Sequence, residues 1–295
     1  MFLQSCGKPR YDIKAPQRAA TPAPTSQPSP TAQTPQGEQP DSKTPSMEGR
    51  DCSSENLLKN ESALSGASGF AKKLPDHRRL KLQDIKSLFD PKLGSILRSN
   101  LVFLDFMVKP RLYSEGYPLT ENTVLRDQKN QIVKENFALK IEGFLALTDS
   151  LQEGNYQFSL LSDDGALFEV FHSGAWQALV DNQGRHSVRL ACSQKTIQLN
   201  AATLLPFRLH YHQGPKNHLA NMLFWKKVDQ PEQDPACGKE GQKHFFDPKT
   251  QTAKAPFEEF IARGWVTVPA SQILRRNAQK QEHLCFQLEK VSAKQ

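Results

Sequence analysis

The chain has 295 residues, which suffices for one large domain or two small ones. Its mean hydropathy is −0.60, and it contains no run of about 18 apolar residues, so no transmembrane helix is predicted. The net charge of +7 is dispersed, with dense basic pairs only at Lys72-Lys73, Arg78-Arg79, Lys226-Lys227 and Arg275-Arg276. Because nucleic-acid binding needs a denser basic patch, nucleic acid is excluded as the expected partner.

The N-terminal part of the chain is rich in proline. Nine of the 20 prolines lie between Pro9 and Pro45, and the residues between them are mostly Ala, Thr, Ser and Gln. Proline removes a backbone donor and small polar neighbours offer little to bury, so ordering this segment would not offset its entropy. Residues 1–65 are therefore predicted to form a disordered Pro/Ser/Thr-rich tether.

A cysteine lies near the start of this tether. The segment Leu3-Gln4-Ser5-Cys6 resembles the lipobox of bacterial lipoproteins, in which the cysteine is lipidated after cleavage of a signal peptide. A signal peptide also needs about 7–15 apolar residues, so lipidation of Cys6 requires a precursor that starts further upstream. The resemblance implies a cell-envelope protein, held at the outer membrane or cell surface by a lipid anchor only. An ordinary cysteine near the N-terminus is the alternative.

Residues 66–95 are predicted to be a helical lead-in. Apolar residues recur there at helical spacing until Pro91 interrupts the pattern: Leu82, Ile85, Leu88 and Phe89.

The pattern then changes to short strand-like runs. Turn signals such as Asp164-Gly165 and Ser173-Gly174 separate the runs, and residues 156–160 and 207–211 alternate between apolar and polar side chains. This period of two is typical of strands with one buried face. The fold class predicted from these runs is all-β, an antiparallel β-sandwich.

Several motifs follow one another in a fixed order between residues 96 and 274. They are a marked strand at 136–145, an aromatic strand ending in Ser162-Asp163-Asp164-Gly165, a turn at 181–186, a basic aromatic strand at 207–212, and a strand at 219–225 that ends in tryptophan. This ordered set resembles the PA-fourteen domain family, the β-sandwich named after the N-terminal part of anthrax protective antigen.

The chain departs from that family's pattern near its C-terminal end. Residues 229–264 are an insertion with a short helix predicted at 256–262, and residues 275–295 form a basic C-terminal tail.

The resemblance implies a role for the adjacent aspartates. In sugar-binding members of the family such a pair coordinates Ca²⁺, and the ion holds vicinal sugar hydroxyls, so Asp163 and Asp164 are the expected carboxylate ligands. Such pairs often have an unusual peptide geometry. The alternative is that the two side chains only cap a turn by accepting backbone N–H groups.

Three further residues are candidate contacts to the ion or the sugar. The loop at residues 213–218 would supply more oxygen ligands, with Asn217 as the metal-binding side chain and Gln213 as a ligand-binding one. Trp176 follows a glycine-containing turn and is a candidate for stacking on a sugar ring, although most tryptophans of a sandwich lie in its core.

Histidines offer a weaker metal hypothesis. His210 and His212 project from one strand face, as zinc ligands do, but half-buried histidines on a sheet are far more common. Asp181, Asn182 and His186 are predicted to lock a turn.

The remaining cysteines allow a disulfide. Cys52, Cys192, Cys237 and Cys285 permit three pairings if the protein is exported, and free thiols are the alternative in a reducing compartment. Cys237 and Cys285 lie outside the predicted sandwich core and would gain most from a staple, so their pairing is predicted.

No catalytic motif is found: neither a Gly-x-Ser-x-Gly elbow, nor a Cys/His signature, nor a phosphate-binding glycine loop. The prediction is a non-enzymatic, adhesin-like cell-envelope module that binds a glycan or polysaccharide, with Ca²⁺ as cofactor. The alternative is a protein-interaction or structural envelope lipoprotein that does not bind sugar and docks an envelope protein.

Overall fold

The computed structural model describes residues 63–276, except for 77–83, 121, 148–150, 216–217, 242 and 248. The predicted tether lies outside the described residues up to residue 62, as do the predicted lipidation site Cys6 and the predicted basic tail from residue 277 onward. No helix in the described part is long and apolar enough to cross a membrane.

The described chain is an antiparallel β-sandwich, which confirms the predicted fold class. Strands are numbered in chain order. The first sheet contains β1 (Ala63–Ser65), β2 (Ala67–Lys73), β3 (Ser95–Phe103), β7 (Phe137–Ala146), β9 (Ala166–His172), β10 (Ala175–Asn182), β12 (Leu204–Gln213) and β15 (Ile273–Arg276). The second sheet contains β4 (Val108–Leu112), β8 (Gly154–Asp163), β11 (Arg189–Leu199), β13 (His218–Lys227) and β14 (Val266–Thr267), and β5 (Pro118–Thr120) pairs separately with β6 (Thr123–Val124).

Alternation along the strands builds the core between the sheets. Phe158 and Leu160 of β8 face Phe168 of β9 and Phe207 of β12, and all four side chains are buried. The inward set on β8 is the one that the period of two predicts. Burial of these large apolar side chains is the main contribution to the stability of the sandwich.

The sandwich begins earlier than residue 96, the predicted boundary. Strand β1 pairs with β15, and β2 pairs with both β7 and β3, so the segment predicted as a helical lead-in contains a strand of the first sheet. Small residues make this possible, because Ala67 and Ala71 are fully buried and a Cβ at Gly69 would lie 2.1 Å from the Lys140 carbonyl oxygen. Within the described part of the predicted helix, the chain forms a 3₁₀ turn, Ile85–Phe89, while residues 77–83 lie outside the described residues.

Both sheets are covered on their outer faces as well. On the first sheet, Ile85 and Leu88 of the 3₁₀ turn pack against Ala138 and Leu167. Under this cover His210 is buried although it lies on the outward face.

The insertion covers the outer face of the second sheet. It contains the predicted helix, α1 (Ala255–Ala262), and it packs Phe246 and Phe260 into one cluster with Phe224 of β13. Trp265, directly after the insertion, stacks on Phe260 in the same cluster. The insertion is therefore part of the domain's packing and not an appendage.

The disulfide differs from the predicted one. Cys237 of the insertion is bonded to Cys192 of β11, not to Cys285, which lies outside the described residues. The reason is the packing of the insertion, which brings Cys237 against the sheet itself. The predicted disulfide instead joins two segments that lie outside the predicted sandwich core.

Candidate functional site

The Asp-Asp pair lies where the chain crosses from one sheet to the other. Asp163 ends β8 in the second sheet, and β9 of the first sheet starts two residues after Asp164. Two other crossings reach the same end of the sandwich: the segment 183–188 joins β10 to β11, and the segment that starts at Gly214 joins β12 to β13. Three corners that are distant in sequence thus meet at one rim.

Two glycines allow these corners to approach one another. A Cβ at Gly165 would lie 2.5 Å from Nε2 of His212 and 2.6 Å from the Gly184 carbonyl oxygen. A Cβ at Gly214 would lie 2.7 Å from Oδ2 of Asp164. Any larger residue at either position would push the corners apart, which explains the glycine that follows the aspartate pair.

The backbone of the aspartate pair has a cis peptide bond and is contacted by a buried tyrosine. The peptide bond between Asp163 and Asp164 is cis, an unusual geometry of the kind that the resemblance implies. The buried Tyr211 hydroxyl lies 2.6 Å from the Asp163 carbonyl oxygen and 2.5 Å from Oε1 of Gln213, within hydrogen-bond distance of both.

The two carboxylates differ in their hydrogen-bond partners. Oδ2 of Asp164 accepts the Gly214 N–H at 2.7 Å, and the His186 N–H also donates to this carboxylate. Asp163 receives the Val188 N–H, but its Oδ2 is buried without a hydrogen-bond partner. Turn capping therefore accounts for Asp164 and leaves one oxygen of Asp163 unexplained.

Burial changes the acidity of both groups. Asp163 and Asp164 are buried, with exposed fractions of 4% and 6%. Burial, reinforced by the charge of Asp164, raises the pKa of Asp163 to about 8. Burial also raises the pKa of Asp164, to about 6, with the two N–H donors opposing the rise. Near neutral pH Asp164 is therefore mostly ionised, whereas Asp163 holds a proton that a divalent cation would displace.

The oxygen-only donor set fits a hard cation. Ca²⁺ takes six to eight oxygen ligands, and the unpartnered Oδ2 of Asp163 beside the Asp164 carboxylate offers charged ones. In the described part of the chain, no three His, Cys, Asp or Glu side chains come together as a metal site. Additional ligands would be backbone or amide side-chain oxygens, water or the bound sugar itself.

The other predicted ligand residues are not all brought to this rim. Gln213 is fully buried, and its side-chain amide donates to the His218 carbonyl oxygen, so it shapes the loop. Asn217 lies outside the described residues. Trp176 of β10 pairs with Phe171 of β9, five residues along that strand from Ala166 and so away from the rim. The Arg208 guanidinium lies 4.1 Å from the centre of the Trp176 ring. One face of the Trp176 ring is thus already covered.

The turn that follows β10 is locked as predicted. The Asn182 amide donates to Oγ of Ser162 and to the Arg189 carbonyl oxygen, and Nε2 of His186 lies 2.8 Å from the Asn182 carbonyl oxygen. This network fixes the segment whose N–H groups reach Asp163 and Asp164.

The weak zinc hypothesis gains no support from the described residues. His210 is buried beside Glu169 and Phe89, and His210 and His212 do not form a metal-binding group with a further ligand.

One acidic residue near the rim was not predicted. Glu240 of the insertion accepts hydrogen bonds from the N–H (3.2 Å) and the hydroxyl (3.0 Å) of Ser187, and its charge helps to raise the pKa of Asp163. No local pattern links Glu240 to Asp163, since only the docking of the insertion brings them near each other. The available signal was that Glu240 lies close to Cys237 in the sequence. That signal places Glu240 near Asp163 if the pairing of Cys237 with Cys192 is already known.

Comparisons with known proteins are informative only at the level of structure. No protein-family model and no curated protein matches the sequence. The "PA14 domain of MpAFP Antifreeze protein" is 10% identical with a TM-score of 0.43, covering 72% of this chain and 92% of that one. The Epithelial Adhesin 9 A domain from Candida glabrata, solved in complex with Galb1-4GlcNAc, is 14% identical with a TM-score of 0.38, covering 58% and 86%.

An "anti-sigma factor domain-containing protein" is also similar, at 15% identity and a TM-score of 0.40, over 73% of this chain and 50% of that one. This chain thus spans about half the length of that protein. Identities of 10% to 15% do not transfer a ligand or an activity, so function must be argued from this chain's own residues.

Proposed function

We propose that the described domain is a non-enzymatic, adhesin-like carbohydrate-binding module in which Asp163 and Asp164 hold Ca²⁺. The observation that carries the proposal is the buried Oδ2 of Asp163, which has no hydrogen-bond partner although it lies beside a second carboxylate at the rim. An uncompensated buried charge is costly, and a divalent cation would compensate both carboxylates at once.

The ion would supply a polar anchor for sugar. Ca²⁺ bound by two protein carboxylates still needs further oxygen ligands, and the adjacent hydroxyls of a pyranose ring can take these positions in place of water. Asp163 and Asp164 would hold the ion, while the corners at Gly184 and Gly214 would define the space available to the sugar.

Calcium titration tests the first half of this proposal. We expect isothermal titration of the chelator-treated full chain to show Ca²⁺ binding that Asp163→Ala abolishes and Asp229→Ala leaves unchanged. Asp229 is a matched control because it is an exposed aspartate just beyond the end of β13 that lies opposite the rim. Absence of Ca²⁺ binding to the wild-type chain would overturn the proposal.

A glycan array with and without chelator tests the second half. We expect binding to a limited set of glycans that disappears in chelator and in Asp163→Ala. Calcium binding without any glycan signal would instead favour the alternative, a protein-interaction or structural module of the cell envelope.

We further propose that the protein works outside the cytoplasm, in a bacterial envelope, with Cys6 as its lipid-anchor site. The Cys192–Cys237 disulfide supports an oxidising compartment, because such bonds rarely persist in a reducing cytosol. Acyl labelling of the protein in its native cells should mark the wild type and not Cys6→Ser. Equal labelling, or none, would contradict the anchor.

A further inference from the structure

One edge of the insertion continues the second sheet next to the candidate site. The Gly238 N–H donates to the Leu190 carbonyl oxygen at 2.7 Å, and the Leu190 N–H donates to the Lys239 carbonyl oxygen at 3.1 Å. The Gly241 N–H donates in turn to the Val188 carbonyl oxygen at 2.9 Å. Residues 238–241 are thus fixed along the start of β11, which leads out of the corner at 183–188.

Covalent and apolar contacts hold this edge in place. Cys237 is bonded to Cys192 of the same strand, and the buried Ala236 packs in the cluster that covers Leu190. Glu240 therefore follows the disulfide by only three residues, on a backbone with little freedom to move away.

The Glu240 side chain reaches the segment that holds the aspartates. Its Oε1 accepts both the N–H and the hydroxyl of Ser187. Ser187 lies between the two residues whose N–H groups bind the pair: His186 donates to Asp164, and Val188 donates to Asp163. A single carboxylate thus contacts the residue that links both donors.

Glu240 is exposed to solvent, unlike the two aspartates. Asp163 and Asp164 are almost completely buried, whereas Glu240 is exposed. A cation approaching the buried carboxylates from this side would first encounter the field of Glu240. Arg185 and Lys239 are exposed cations on the same two segments and oppose that field, so loss of the Glu240 charge would leave this side basic.

We propose that Glu240 is a positioning residue for the calcium site: it attracts the cation and holds the Ser187 segment, and the Cys192–Cys237 disulfide keeps it there. This inference rests on the proposed calcium site. Glu240 is not a ligand, because no three acidic side chains of the described residues converge as a metal site, so it acts through its charge and through Ser187.

The test separates charge from folding. Glu240→Gln keeps an oxygen that can accept from Ser187 but removes the charge, and Glu258→Gln removes an exposed charge from α1 of the same insertion. At low ionic strength we expect Glu240→Gln to weaken Ca²⁺ binding on the order of tenfold, and Glu258→Gln to leave it unchanged. The melting temperature in chelator should be the same for all three proteins.

Reduction of the disulfide provides a second arm. Mild reduction should weaken Ca²⁺ binding by the wild type and have little further effect on Glu240→Gln, because the charge that the bond positions is already absent. Equal weakening of both proteins would overturn the link between Cys192–Cys237 and Glu240.

The remaining outcomes are distinguishable from failure of the calcium site. If the wild type binds no Ca²⁺, the proposed function fails. If the wild type binds Ca²⁺ and Glu240→Gln binds equally well, only the role of Glu240 fails. A Glu240→Gln variant whose melting temperature in chelator falls together with its affinity would show a folding role and overturn the inference.

Discussion

In the presence of chelator, Asp163→Asn will be more stable than the wild type at about pH 8.5, by about 2–4 kcal/mol, and will lose this advantage at about pH 3, below both pKa values. Burial raises the folded-state pKa of Asp163 from 3.8 to about 8. Between these two values the folded protein binds more protons than the unfolded chain, so the free energy of unfolding falls as pH rises. Asparagine never ionises and removes this loss.

Calcium reverses the order of stability. At about pH 8.5 and a concentration about 1,000 times its dissociation constant, Ca²⁺ would add about 4.1 kcal/mol to the wild type and nothing to Asp163→Asn, which exceeds the advantage of the variant. Urea unfolding at both pH values, with chelator and with Ca²⁺, gives the four comparisons. Asp229→Asn, at an exposed position beyond the end of β13 that lies opposite the rim, should follow the wild type throughout.

A wild type and an Asp163→Asn variant with the same pH dependence in chelator would contradict this prediction. Such a result would mean that water reaches the Asp163 carboxylate and that its Oδ2 does not need a cation.

The local part of the fold and of the site could be predicted from sequence. Residues 156–160 alternate as expected for β8, and Ser162-Asp163-Asp164-Gly165 marks a tight corner. These features depend on neighbours a few residues apart, where strand period and turn chemistry operate.

The long-range part could not be predicted. Alternation correctly identified the outward-facing side chains on the sheets, but it could not show that the insertion and the segment around Ile85 cover them. Gly214 lies 50 residues from the Asp164 carboxylate to which it donates, and Glu240 lies 53 residues from Ser187. Contacts at this separation are decided by sheet crossings and by the docking of irregular segments, neither of which leaves a periodic pattern.

A buried glutamate on the first sheet also depends on contacts that are distant in sequence. Its substitution is the second change for which we expect a large effect on stability. Glu169 of β9 is 1% exposed on the outward face, and its oxygens lie 2.6 Å from Nε of Arg208 and 2.6 Å from Nζ of Lys86. Arg208 belongs to β12 and Lys86 to the 3₁₀ turn, so one carboxylate joins two strands and fastens the segment that covers them.

We expect Glu169→Gln to lower the free energy of unfolding at pH 7 by about 2 kcal/mol, since the buried side chain loses two charge-assisted hydrogen bonds. The partners left behind, Arg208 and Lys86, are 21% and 50% exposed and partly solvated. Glu142→Gln is the matched control: Glu142 lies on the same outward face, bound to Lys140 at 2.6 Å, but its side chain is 42% exposed. Its loss should cost less than about 1 kcal/mol, because water already solvates that pair.

Acid should erase the difference between Glu169→Gln and the wild type. Burial opposes ionisation of Glu169, but hydrogen bonds from Arg208 and Lys86 outweigh it and lower its pKa below the ordinary value of 4.5. The stabilisation is therefore complete above that value and disappears as pH falls through the lower, folded-state pKa. Urea unfolding of the three proteins at pH 7 and at about pH 3 measures this. If Glu169→Gln and Glu142→Gln cost the same small amount at pH 7, the covering segment does not exclude water from Glu169, and the outward face of the first sheet is open in solution.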